Sequence, residues 1–343
     1  MSLVFLTIGE GSELMGEPMR SHAAIAVLIP CYNEELTVAQ VVESFYDALP
    51  QATVYVYDNA SDDNTAQFAA QAGAIVVSEP RRGKGNVVRQ MFREVNADAY
   101  LLVDGDMTYS ATDAQRLLVP ILSGQADMVV GDRLSSGAYA AENTRAFHGF
   151  GNKLVAWLVR RCCGGDVHDV MTGYRAFSRT FVKSFPVLSK GFEIETEMTV
   201  HALDRGFRVT SVDVSYRDRP EGSDSKLDTF ADGARVLAAF GNLMRHSRPL
   251  VFFGTIAVLF AVAALVCGLP PVVEYATTGF VSHVPLCIAA VGAGVLSALS
   301  LVCGLILDSL SAASRRIYEL EVVRLTPPLP RQATSKVVTS VVD

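Results

Sequence analysis

The chain has 343 residues, half of them hydrophobic, and a formal net charge of −7. That length allows one large domain with added elements, and the acidic balance excludes nucleic acid as a main partner. Six cysteines without a C-x-x-C pair exclude a disulfide framework and a zinc ribbon, and the polar part of the chain reads as reduced and cytoplasmic.

Residues 1–22 lack a basic stretch leading into an apolar core and cleavage site, so they read as a flexible N-terminal extension, not a signal peptide. Ala23 to Ile29 is a continuous apolar run, a candidate central strand stopped by Pro30. Leu36, Val38, Ala39, Val41, Val42 and Phe45 recur at helical spacing, and Pro50 ends that helix. Thr53 to Tyr57 is a second strand, ending in Asp58. The polar turn Asn59 to Asn64 caps a helix through Gln71, and Ala74 to Val77 is a third strand. Pro80 to Gly85 is a basic, glycine-containing loop before a helix that carries Val87, Val88, Met91 and Phe92. Tyr100 to Val103 then reads as a buried strand running into Asp104 and Asp106, with Gly105 between them.

Alternating strands and helices predict an α/β fold with a mostly parallel sheet and right-handed crossovers. Asp58, the Arg81 to Lys84 loop and the acid pair then share the carboxyl edge, where such sheets bind ligands. Two hard oxygen donors suit Mg²⁺ or Mn²⁺ carrying a diphosphate. The N–H groups of Gly83 and Gly85, with Lys84, suit its phosphates. Taken singly, each feature has a plainer reading: a helix-capping turn for the acids, a solvated surface turn for the basic loop. There is no G-x-x-x-x-G-K-[ST] run, so this is not a P-loop NTPase. No G-x-G-x-x-G follows the first strand, which argues against a dinucleotide fold.

Asp113 to Ser123 reads as a helix and Met128 to Gly131 as a strand followed by Asp132-Arg133. Asn143 to Cys163 is an amphipathic helix with a basic fringe, suited to a membrane surface or to core packing. Asp169 to Phe177 reads as a turn entering a strand, Phe192 to Leu203 as a helix bearing Glu193, Glu195 and Glu197, and Val209 to Val214 as an edge strand. Tyr216 to Lys226 is a basic loop, and residues 227–249 form a juxtamembrane amphipathic helix.

Leu250 to Leu269, closed by Pro270-Pro271, and Val284 to Leu307, closed by Asp308, are uncharged and long enough to cross a bilayer. Arg245 and Arg248 precede the first span and Arg315 and Arg316 follow the second, whereas the loop between has no Lys or Arg. The positive-inside rule places both termini and the preceding domain in the cytoplasm. The predicted division is extension 1–22, catalytic domain 23–226, juxtamembrane helix 227–249, membrane hairpin 250–310 and tail 311–343.

The series Ile29-Pro-Cys-Tyr-Asn-Glu34, Val56 to Asp63, Arg82-Gly-Lys-Gly85 and Asp104-Gly-Asp106 resembles family-2 glycosyltransferases of GT-A fold. Gly131-Asp-Arg133, Arg145, Asp169, Thr172 to Arg175 and Arg219 to Lys226 are similar to the polyprenyl-phosphate branch, which includes dolichol-phosphate mannose synthase and bacterial enzymes with two C-terminal spans. The resemblance covers Ile25 to Leu307. It implies that Pro30, Tyr32 and Glu34 line the nucleobase and ribose, Asp58 bonds the base, and Lys84 lies near the nucleotide. It implies Asp104 at the nucleotide sugar and the metal, and Asp106 as principal metal ligand. Arg133 and Arg145 would hold the acceptor phosphate, and Arg219 and Lys226 would close over donor and acceptor. Relatives with two spans can form tetramers, and Ala289, Gly292, Gly294 and Ala298 permit close helix contact. Three positions depart from the pattern. Thr108 stands where a further metal ligand is common, Gly149 where an acceptor serine is common, and Asn59 where a second base-side aspartate is common.

The implied activity is inverting, metal-dependent transfer of a hexose from a nucleotide-diphosphate sugar (UDP- or GDP-linked) to a polyprenyl (undecaprenyl-type) phosphate, at the cytoplasmic leaflet of the inner membrane. A hydroxyl acceptor is the alternative, with Glu193, Glu195 and Glu197 as candidate bases beside their plainer reading as a helix face. A non-catalytic membrane scaffold is the alternative of another class. A processive polysaccharide synthase is disfavoured, because the single tryptophan, Trp157, lies outside any Q-x-x-R-W run.

Overall fold

The computed structural model describes residues 23–134, 155–161, 164–165, 167–217, 241, 244–245 and 248–325. Its strands are β1 (Ile25–Cys31), β2 (Thr53–Asp58), β3 (Ile75–Ser78), β4 (Ala99–Leu102), β5 (Met128–Asp132), β6 (Arg175–Ser178) and β7 (Val209–Asp213). Its helices are α1 (Val38–Ala48), α2 (Thr65–Gln71), α3 (Lys84–Glu94), α4 (Ala114–Leu122), α5 (Arg179–Ser184), α6 (Ile194–Asp204), α7 (Pro249–Thr278) and α8 (Val284–Leu325).

The strands form one sheet in the order β3-β2-β1-β4-β6-β5-β7. Every pairing is parallel except those of β6, which runs against β4 and β5. The mostly parallel α/β sheet therefore holds, with one reversed strand in its interior. Arg175 opens β6 opposite both Leu102 and Val130, so the turn before it lies on the edge where β1, β2, β4 and β5 end. Ala99 to Leu102 are all buried, because β4 sits mid-sheet with helices on both faces. Tyr100 is tolerated there because its hydroxyl donates to the Val95 carbonyl at 3.2 Å and accepts from the Ala97 N–H at 2.9 Å. One core layer packs α3, α5, α6 and the helical residues 155–161 on the sheet; the other packs α1 and α4. Within 155–161, Val155, Ala156 and Val159 are buried and Trp157 is 55% exposed. The core-packing reading thus describes that part; the rest of the predicted amphipathic helix, 143–154 and 162–163, lies outside the described residues.

Helices α7 and α8 form an antiparallel hairpin, and each is long and apolar enough to cross a membrane. The Ser297 hydroxyl donates to the Ala257 carbonyl at 2.8 Å across it. A Cβ at Gly268 would meet Ala290, and one at Gly304 would meet Phe253 and Leu250, whereas one at Gly292 or Gly294 would have nothing within 4 Å. Both helices outrun their predicted ends. Pro270-Pro271 lies inside α7, which ends at Gly279 in the left-handed region, and α8 continues past Asp308 to Leu325. Apolar flanks on both sides of the prolines favour continuing the helix despite two missing N–H donors.

That extension of α8 docks on the α/β domain. His201 Nε2 lies 2.9 Å from Tyr318 Oη, whose hydroxyl donates to Ser184 Oγ at 2.9 Å; Ser184 in turn donates to the Thr180 carbonyl at 2.7 Å. The direction of this chain assigns the His201 proton to Nε2. Burial, then nearby Arg205, pulls the His201 pKa down to about 3. The unfolded chain therefore binds a proton below about pH 6.5 that the native chain refuses, so stability falls as pH drops from there toward 3. Denaturation at pH 7 and pH 5 should show the parent losing about 2 kcal/mol more than His201→Asn, which keeps a donor but does not titrate.

Candidate active site

Three loops at the carboxyl edge share one backbone device. Asn33 after β1, Ala60 after β2 and Met107 after β4 have φ of 53°, 56° and 61°, the only non-glycine residues in the left-handed region among those described. Such conformations are costly and persist where surrounding bonds hold them. Asn33 N–H bonds Ser61 Oγ at 2.9 Å and Glu34 N–H bonds Thr65 Oγ1 at 2.8 Å, tying the first two loops together.

These loops surround a cavity of about 390 Å³. Its walls include Pro30, Tyr32, Glu34, Asn59, Arg82, Lys84, Asp104, Asp106, Thr108, Arg133, Glu195 and Tyr216. The acid pair, the basic loop, the first-loop residues and Arg133 are thus brought together as the sequence predicts. Arg145, Arg219 and Lys226 lie outside the described residues. Asp58 is not among the lining groups. It sits at the end of β2 with Oδ2 accepting the Ser61 N–H at 3.2 Å and Oδ1 buried without a hydrogen-bond partner. Asn59 serves the basic loop instead. Its amide donates to the Glu79 and Arg81 carbonyls at 2.9 and 2.8 Å and accepts the Gly83 N–H at 2.6 Å. An aspartate has no donors for those two carbonyls, so asparagine at this position clamps the loop.

Lys84 is the charged centre of the cavity. Its ammonium lies 2.5 Å from Asp104 Oδ1 and 2.6 Å from Glu195 Oε1, with 8% of the side chain exposed. Burial lowers its pKa, but the two carboxylates more than offset that and leave it raised. Burial, opposed by Lys84, raises that of Glu195. Asp104 is held from behind by Gly173, where a Cβ would collide with Asp104 Oδ2. Gly105 likewise has no room for a Cβ, which would meet Cys31 Sγ at 2.5 Å. The reversed strand β6 is what delivers Gly173 to this point.

Asp106 is 5% exposed, and its Oδ1 accepts from Thr108 Oγ1 at 2.6 Å and Thr108 N–H at 3.1 Å. Thr108 therefore orients Asp106. Among the described residues no group of three His, Cys, Asp or Glu gathers for a metal. Asp104 and Asp106, both on the cavity wall, nevertheless fit Mg²⁺ or Mn²⁺, which keep several waters and take substrate phosphates to complete their shell.

Arg133 is fixed by a fork. Nε and Nη2 meet Asp169 Oδ2 and Oδ1 at 2.6 and 2.9 Å, and the guanidinium lies 5.4 Å from the Tyr216 ring centre. Asp169 is fully buried. The turn that carries it is held by Arg175, which donates to the Thr172 and Val170 carbonyls and to Thr199 Oγ1. Burial pulls the Arg175 pKa down to about 10.

The three glutamates at the start of α6, Glu193 as its N-cap and Glu195 and Glu197 in its first turn, divide the labour. Glu193 accepts the Lys190 and Gly191 N–H groups, Glu197 those of Leu188 and Ser189, and Glu195 alone of the three lines the cavity. Sequence reasoning missed Glu195 as a partner of Lys84, along with the structural roles of Gly173 and Asn59.

The sequence model described as glycosyl transferase family 2 matches residues 26–185. Glycosyltransferase AglJ of Haloferax volcanii is 35% identical over 308 residues, covering 87% of this chain and 98% of the relative. The dolichyl-phosphate hexose transferase of the same organism is 29% identical over 212 residues, covering 62% of this chain and 90% of that protein. The crystal structure of Mycobacterium tuberculosis glucosyl-3-phosphoglycerate synthase superposes with a TM-score of 0.53 at 22% identity, covering 66% of this chain and 82% of that one. Its complex with Mn²⁺, UDP and phosphoglyceric acid gives 0.53 at 23% identity, covering 66% and 80%. The structural likeness is one of fold, the GT-A type; the sequence likeness defines the family. The chain belongs to glycosyltransferase family 2, and it is a glycosyltransferase.

Proposed function

We propose that the protein transfers a hexose, with inversion, from a nucleotide-diphosphate sugar to a polyprenyl phosphate at the cytoplasmic leaflet. The observation that carries this reading is a cavity uniting an acid pair, a lysine and a clamped arginine on a chain whose two apolar helices bury almost nothing within the molecule: 6% and 0% of their most apolar stretches. A soluble core helix hides such a surface; this one is left for lipid. The name of the dolichyl-phosphate relative and the Mn²⁺ and UDP in the mycobacterial synthase complex support the same acceptor, metal and donor class. The domain division at 23–226 and 250–310, and an inner-membrane location with both termini cytoplasmic, belong to this reading.

In it, the first loop receives the nucleoside, with Pro30, Tyr32 and Glu34 on the cavity wall. Lys84 faces the diphosphate; the Gly83 and Gly85 N–H groups, expected from the sequence to join it, are instead bonded to Asn59 Oδ1 and to the Lys190 carbonyl. Asp104 and Asp106 would hold a divalent ion that, when bound, neutralises charge on the departing diphosphate. Arg133, locked by Asp169, presents fixed charge to the acceptor phosphate, joined by Arg145, Arg219 and Lys226. A phosphate oxygen attacks the anomeric carbon as the bond to the diphosphate breaks on the opposite face. The acceptor is already an anion near neutral pH, so positioning and charge compensation serve where a sugar hydroxyl would need a base. A hydroxyl acceptor is the second reading, favoured by Glu195 at the cavity wall with its proton affinity raised by burial. The purified protein, given labelled nucleotide sugars, Mn²⁺ and either undecaprenyl phosphate or a free glycan, should label the lipid alone. Label on the glycan alone would transfer the assignment to the hydroxyl acceptor.

A further inference from the structure

A second cavity, of about 340 Å³, opens between α6 and the part of α8 just beyond its apolar span. It shares no lining residue with the first; on α6, Glu195 faces one and Glu197, His201 and Asp204 the other, with Arg205 just past the helix end. One wall is cationic, with Arg205, Arg245 and Arg315, and Arg248 lies 3.5 Å from Asp204. Among the described residues four arginines meet two carboxylates there, Asp204 and Glu197, so positive charge predominates. Glu197 is engaged by the backbone of Leu188 and Ser189. The opposite wall is apolar: Pro186, Leu188, Leu307 and Leu310.

Three buried polar atoms here lack a hydrogen-bond partner: Asp204 Oδ1, Arg205 Nη1 and Arg248 Nε. Asp204, 4% exposed at its side chain, has Arg248 and Arg315 at 3.5 and 3.8 Å, within ion-pair reach but short of a bond. Buried donors without acceptors, beside one acceptor without a donor, are costly unless something supplies both. An anionic phosphodiester that also carries a hydroxyl does so: its oxygens accept from the guanidiniums and its O–H donates to Asp204. The apolar wall at the foot of the hairpin suits the acyl-glycerol portion. We infer that this cavity binds the phosphate headgroup of an anionic, hydroxyl-bearing bilayer phospholipid, at a site separate from the catalytic cavity. The inference rests on the reading that α7 and α8 cross the bilayer.

The test uses the full chain in neutral detergent, titrated with phosphatidylglycerol and followed by native mass spectrometry. A saturable one-to-one adduct is expected. Ser314→Glu places a carboxylate at an exposed position of the same cavity, and Arg245→Gln removes one of the positive charges on its wall. Each should weaken binding about five- to tenfold, the effect of one charge near a headgroup. Unchanged affinity in both variants overturns the inference. Glycerol 3-phosphate binding as tightly as the lipid overturns the lipid assignment in favour of a soluble anion. Alkaline carbonate extraction of membranes tests the supporting reading by itself: release of the protein refutes the membrane hairpin, whereas retention with variant-insensitive lipid binding refutes this site alone.

Discussion

Asp106→Ala is expected to lower sugar transfer by a factor on the order of 10³ or more, with little change in folding. The residue is buried at the cavity floor, where the Thr108 hydroxyl and N–H orient its carboxylate. Removing it deletes the Thr108 hydroxyl and N–H contacts together with a carboxylate on the cavity wall suited to a divalent ion. Steady-state transfer with Mn²⁺ measures the first effect, and thermal unfolding the second. Thr108→Val should fall between parent and Asp106→Ala, because it frees the carboxylate to rotate yet leaves its charge. Parent-like transfer by Asp106→Ala would refute the metal-grip reading outright.

Lys84→Ala should lose both activity and roughly 3–5 kcal/mol of stability, since it leaves two carboxylates facing each other in a poorly hydrated site. The companion variant Lys84→Met with Glu195→Gln should recover most of that stability, because the buried negative charge departs with its partner. Transfer should stay low in the double variant. Chemical denaturation near neutral pH separates the cases. The deficit of Lys84→Ala should also shrink as pH falls through the carboxylate range, where proton uptake replaces the missing ammonium. Equal stability of parent and Lys84→Ala at neutral pH would show that the ion pairs add nothing.

The acid pair, the basic loop and the strand ends were legible because they are local. An apolar run ending in Asp104-Gly-Asp106 states its place at a sheet edge, and parallel alternation gathers such ends. Reversal of β6 was not legible: Arg175–Ser178 is four residues buried on both faces, and no alternation marks its direction. With that reversal went the role of Gly173, which is visible only once Asp104 lies against it. Glu193 and Glu197, four apart, share a helix face and both bond loop backbone, whereas Glu195 between them points the other way and pairs with a lysine 111 positions earlier in the chain. Spacing reports period, not partner. Pro270-Pro271 shows the opposite failure, a strong local stop signal overridden by apolar surroundings on both sides.

The unbroken course of α8 from the apolar hairpin to Tyr318 has a mechanical consequence. From Asp308 to Tyr318 the helix rises about 15 Å without a joint, and its far end is bolted to α5 and α6 through Ser184 and His201. The catalytic head and its stalk therefore move as one lever. On the proposed reading, in which α7 and α8 cross a bilayer and the acceptor is lipid-borne, any tilt imposed by bilayer thickness would swing the mouth of the cavity relative to the headgroup plane, so membrane thickness as well as contacts inside the site would set the reach of the nucleophile.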